Sequence, residues 1–109
     1  MPNKMFTRVM FHATHQENVA GIFNIGLSPE FAQGKRKAIW FVPKSAIQSG
    51  ILHAASRHHW RVDEMVVLAV LVESDAIRYS GNGMLFYSEH VAHPESHASA
   101  LHFLDESEE

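Results

Sequence analysis

The chain has 109 residues, 46% of them apolar and 19% charged, with a formal net charge of −3 and no cysteine. These numbers describe one globular domain that can bury a little over ~60% of its unfolded surface, and they exclude disulfide staples and thiolate metal sites. Four of the acids lie in the last five residues, Asp105-Glu106-Ser107-Glu108-Glu109. The body at 1–104 is therefore close to neutral, and without a long basic run sequence-independent duplex binding is disfavoured.

Taken in chain order, Phe6 to His12 reads as a strand, and Gln16 to Ile25 as a helix with Val19, Ile22 and Phe23 on one apolar stripe. Thr14 has the position of an N-cap, and Glu17 stands three residues later, at capping-box spacing. Gly26 is expected to end the helix in a left-handed cap, and Leu27-Ser28-Pro29 to leave it extended. Phe31 to Lys37 is polar and reads as a loop. Its cluster Lys35-Arg36-Lys37 reads as a solvated surface, with grip on a phosphate or polyanion as the second reading.

Ala38 to Val42 is a compact strand stopped by Pro43. Ser45 to about His58 reads as a helix with Ile47, Ile51 and Leu52 on its apolar face. Val62 to Val72 is rich in β-branched residues and is expected to be a central strand. Asp75 to Tyr79 is ambiguous, and Ser80-Gly81-Asn82-Gly83 is a turn. Met84 to Ala92 reads as a strand closed by His93-Pro94-Glu95, and Leu101 to Leu104 as a final short strand. The order β-α-β-α-β-β-β, without repeat or linker, makes one α+β domain at 1–104 followed by the acidic tail 105–109. No signal peptide is expected from Met1-Pro2-Asn3-Lys4, and the run Met65 to Val72 is too short to span a membrane.

Nine histidines invite a metal reading that their spacing does not support. His58 and His59 are adjacent, His53 and His58 are five apart, and no HExxH pattern occurs, so no metal site is assigned. Glu89 lies in the mostly apolar run Met84 to Ala92, where a carboxylate costs desolvation energy unless it is paired or used. It either points to solvent from an edge strand or enters a cleft, where it can stabilise positive charge as glycosidic cleavage requires. Phe41 reads as core, and Trp40 either as core or as a ring offered to a flat heterocycle.

Three segments in order resemble the catalytic domain of the poly(ADP-ribose) polymerase branch of the ADP-ribosyltransferases, the diphtheria-toxin-type fold. They are Met10-Phe11-His12-Ala13-Thr14 with the helix ending in Gly26-Leu27, then Ala38-Ile39-Trp40-Phe41 with Lys44-Ser45-Ala46, and Leu85-Phe86-Tyr87-Ser88-Glu89-His90-Val91. The resemblance spans roughly residues 9 to 104, with Val66 to Val72 in the place of the intervening core strand. It implies a split β-sheet core with two short helices, and a cytoplasmic NAD-dependent mono-ADP-ribosyltransferase acting on a protein or nucleic-acid acceptor, as a monomer or homodimer. The family's triad corresponds to His12, Trp40 and Glu89.

The resemblance implies that His12 bonds the adenosine-side ribose with help from Thr14, and that Ala13 offers backbone groups to the nicotinamide carboxamide. It implies that Trp40 stacks on the nicotinamide, and that Glu89 bonds the 2′-hydroxyl of the nicotinamide ribose and orients the nucleophile. Phe41 and Ser45 complete the implied NAD-binding set. The chain departs from the family at Ala13, where glycine is usual, and at Trp40, where tyrosine is usual. The second stacking tyrosine has no match, its place falling near Ile51 or His53, and the chain is much shorter than most relatives. The alternatives are a non-catalytic NAD or ADP-ribose-binding module and an RNA 2′-phosphotransferase-like enzyme of the same fold. The latter relies on arginines to hold phosphate; Arg8, Arg36, Arg57, Arg61 and Arg78 fit no such pattern in the sequence, and Glu89 favours the transferase.

Overall fold

β1 spans Thr7–His15 and lies antiparallel to β3, Met65–Glu73, with Met10 opposite Val70, His12 opposite Leu68 and Thr14 opposite Val66. These coordinates are a computed structural model that describes residues 7–28, 38–81 and 84–106. β6, Pro94–Ser99, pairs antiparallel with the other edge of β3, giving a first sheet of order β1-β3-β6. A second antiparallel sheet is built from β2 (Ile39–Phe41), β5 (Phe86–Ser88) and β4 (Arg78–Tyr79), in the order β2-β5-β4. The helices are α1 (Val19–Ile25), α2 (Ile47–His58) and α3 (Ala100–Glu106). The α+β expectation therefore holds, with two small sheets and a third helix that the sequence reading did not contain.

Side-chain alternation along β3 divides the core. Leu68, Val70 and Val72 pack with Met10, Ile39 and Phe41 toward the second sheet. Met65 and Val67 face the opposite way, onto Ile47 and Ile51 of α2 and Ala100 of α3. The first sheet is thus covered on both faces, which is why its central strand is nearly all aliphatic. Burying a side chain such as Leu68, which has no exposed surface, contributes about 1.5–3 kcal/mol.

The C-terminal segment departs most from its expectation. Leu101 to Leu104 is helical, because Ala100, Phe103 and Leu104 repeat at three and four residues and seat on the α2 side of the core. Phe103 meets Phe11 edge-on at 6.4 Å, and the Ser99 hydroxyl accepts the Leu101 N–H at 3.2 Å at the helix start. The helix runs on into Asp105 and Glu106, so the acidic segment begins inside it, and 107–109 lie outside the described residues. Its neighbour β6, read as a strand-closing turn, is a polar edge strand. It is held by backbone pairing with β3, and Pro94 stands at its first position, where a strand tolerates proline.

Other boundaries also move. β1 runs to His15, three residues beyond the expected end, and a 3-10 turn over Gln16–Asn18 precedes α1. β3 starts at Met65, with Val62–Glu64 in a 3-10 turn, and Lys44–Ala46 makes another such turn before α2. The expected Met84–Ala92 strand is reduced to Phe86–Ser88. The Ser88 hydroxyl accepts the His90 N–H at 3.1 Å and turns the chain there, after which Ala92 pairs singly with Leu27. The expected Phe31–Lys37 loop, including Lys35-Arg36-Lys37, and the Asn82-Gly83 half of the expected turn lie outside the described residues.

Candidate functional site

The two sheets touch through one backbone rung. Phe11 and Val42 exchange N–H···O bonds of 2.8 Å each. An antiparallel ladder continued from that rung would pair Ala13 with Trp40. Instead the His12 ring takes the Trp40 carbonyl, with Nδ1 donating to it at 2.8 Å. The histidine is a side-chain wedge in place of a backbone rung, and beside it opens a cavity of about 750 Å³. That volume is within the range of roughly 300–1,000 Å³ usual for small-ligand sites.

A carbonyl only accepts, so Nδ1 of His12 carries the proton and Nε2 of the neutral ring is left as an acceptor. Burial pushes the His12 pKa below its ordinary value. The bond to Trp40 opposes that shift, and the positive character of His58 adds to it. The ring keeps some solvent contact through the cavity, yet protein encloses it closely enough for desolvation to dominate. Phe41 meets the ring edge-on at 6.0 Å and holds its plane.

Thr14 is buried and lies on the same face of β1 as His12 and Met10. It does not act as the N-cap. The Asn18 side-chain amide donates to its Oγ1 at 3.0 Å, while the His15 ring caps the 3-10 turn by accepting the Glu17 N–H on Nδ1 at 3.1 Å. With Nδ1 of His15 accepting, its Nε2 carries the proton and donates to Glu64 Oε1 at 3.3 Å. Gly26 closes α1 by donating to the Ile22 carbonyl at 2.6 Å. Its φ of 91° is positive as expected, but its ψ of 168° is extended, so it is not a left-handed helical cap. Only glycine adopts that backbone readily. A Cβ there would also come within 2.8 Å of His93 Cε1.

His12, Ala13, Thr14, Trp40 and Phe41 all line the cavity. Trp40 is half-buried, with its ring 5.4 Å from that of Tyr87 across the β2–β5 pair. Two members of the expected set are not among the lining residues. Ser45 is exposed in the turn before α2, and Glu89 is exposed in the bend beyond β5. Glu89 is therefore not a carboxylate inside an apolar strand. Extending the β2–β5 register by one step would set it opposite Ala38, whose position is on the cavity wall.

The sequence reading missed the opposite wall. Gly50, His53, Ala54, Arg57 and His58 form one face of α2 along the cavity, and α1 contributes Ile22 and Ile25. The signal was present as helical spacing: 50, 53, 54, 57 and 58 recur at three and four. That spacing alone does not separate a cavity wall from a solvated helix face, and the sequence sets Arg57 in no phosphate-binding pattern. His58 stacks on Trp60 with centroids 4.3 Å apart and planes at 21°. Burial lowers its pKa, as does the nearby positive charge of Arg57 and the rings of His53 and His59. Among the described residues no group of three or more metal-ligating side chains converges, and no helix is long and apolar enough to cross a membrane.

No protein-family model, no curated protein and no solved structure matches this chain.

Proposed function

We propose that the cavity binds NAD and that the protein is a mono-ADP-ribosyltransferase. The observation that carries this reading is the His12–Trp40 bond, because it sets His12, Thr14 and Trp40 around one cavity of dinucleotide scale. Nε2 of His12 accepts a ribose hydroxyl, and the indole of Trp40 covers the nicotinamide. The nicotinamide–ribose C–N bond breaks with its electron pair leaving on nicotinamide. An acceptor nucleophile from a protein or nucleic acid then attacks the ribose carbon and gives up its proton. The protein contributes position and electrostatic stabilisation of an oxocarbenium-like state. In this reading Glu89, one residue beyond the Ser88–Ile39 pair that ends β5, serves the ribose 2′-hydroxyl from the rim. The reading sets the enzyme in the cytoplasm, as a monomer or homodimer.

Labelled NAD incubated with protein and RNA acceptors tests this. Label transfer or nicotinamide release should be lost in Glu89→Gln. NAD binding without turnover would support the second reading, a non-catalytic NAD-binding module, which the exposure of Glu89 outside the cavity lining favours. Failure of calorimetry to detect NAD binding would refute both.

A further inference from the structure

The α2 wall is chemically unlike the rest of the cavity. β1, β2 and α1 present mostly apolar surface with single polar groups, whereas α2 turns His53, Arg57 and His58 to it. His53 and Arg57 are four residues apart, so their Cβ atoms stand about 6 Å apart on one helix face. The apolar residues Ile47 and Ile51 of the same helix are buried in the core and fix which face α2 turns to the cavity.

Arg57 puts a fixed positive charge on this concave wall, with imidazole rings beside it, and such a wall attracts an anion. Among the described residues Arg57, His53 and His58 have no ion-pair partner. Glu17 is the one carboxylate among the described lining residues, and it belongs to the turn before α1. Glu64 is engaged by His15, whose ring also lies 5.7 Å from that of Trp60. Burial is the main cause of the lowered His58 and His12 pKa values; the positive charge of Arg57 adds to the first and the positive character of His58 to the second.

We propose that the α2 face is an oxyanion subsite, in which Arg57 grips a phosphate of the ligand with His53 and His58 beside it. A guanidinium offers two parallel donors to two phosphate oxygens, which an imidazole cannot. The ligand then lies across the cavity, with its charged part on α2 and its sugar and heterocycle toward His12 and Trp40. The assignment of that charged part as the diphosphate of NAD rests on the reading above. The anion subsite itself rests only on the residues of the wall.

Calorimetry with ADP-ribose and with inorganic pyrophosphate as probes, on the full chain, separates the two. Arg57 is exposed, so solvent moderates its attraction, and Arg57→Gln should weaken ADP-ribose by about tenfold. Arg57→Lys should recover part of that loss, and the salt dependence of ADP-ribose affinity should be shallower in Arg57→Gln. His53→Gln should weaken ADP-ribose less than Arg57→Gln. Pyrophosphate binding that is lost in Arg57→Gln, with no binding of ADP-ribose or NAD, would keep the subsite and refute the NAD reading. Wild-type ADP-ribose affinity and salt dependence in an Arg57→Gln protein with an unchanged unfolding midpoint would overturn the subsite. So would a wild-type protein that binds neither probe.

Discussion

Replacing His12 with phenylalanine tests the wedge between the sheets. Phenylalanine preserves a ring of similar size and the edge contact with Phe41 at 6.0 Å, but removes the 2.8 Å donor to the Trp40 carbonyl. Leaving that carbonyl without its partner costs about 1–3 kcal/mol, offset in part by the greater apolarity of the new ring. For a chain of this size the melting temperature should fall by about 4 °C for each kcal/mol. The pH dependence is the more discriminating readout. Unfolded His12 takes up a proton at the ordinary 6.5, and folded His12 does so only at lower pH. The unfolded state therefore binds more protons as pH falls below 6.5, and the native state loses stability through that window. Urea unfolding at pH 7.5, 6.5 and 5.5 should show this loss in the wild type and a reduced loss in His12→Phe. His58 shifts in the same direction and supplies part of what remains. Equal stability at pH 7.5, together with an unchanged pH profile, would refute both the donor role of His12 and its desolvation.

Gly26→Ala should destabilise by about 1–3 kcal/mol through its positive φ, with displacement of the His93 ring adding to the cost, and chemical denaturation measures it. Leu68→Ala should cost about 2–5 kcal/mol, since the side chain is fully buried where β3 faces the second sheet; a loss below 1 kcal/mol would mean that this face is loosely packed. Ser88→Ala removes the acceptor of the His90 N–H and should cost about 1 kcal/mol. If Glu89 acts from that turn, Ser88→Ala should also slow nicotinamide release without altering the affinity for NAD.

The strands β1, β2 and β3 and the helix α2 were legible in the sequence because each carries its own period. Val66 to Val72 reads as a strand buried on both faces, and Ile47 with Ile51 marks the apolar side of a helix. His12-Ala13-Thr14 and Trp40-Phe41, which line the cavity, stood out as candidate site residues through the family resemblance and not through their period. Leu101-His102-Phe103-Leu104 was misread because four residues cannot distinguish the two periods. Ala100, buried under α2, supplies the missing member of the helical stripe. β6 could not be seen because its strand conformation comes from pairing with β3, not from its own side chains.

By itself the amino-acid sequence determined an α+β chain with an aliphatic central strand and a histidine at the end of its first strand. Local periodicity suffices for that. Tertiary structure alone decided that the His12 ring, rather than an Ala13 backbone rung, meets Trp40. It also decided that α2 presents Arg57 to the resulting cavity while Glu89 turns out beyond β5. These outcomes depend on which strand edges pair and where a ladder stops. Such contacts join residues tens of positions apart, and no local pattern encodes them.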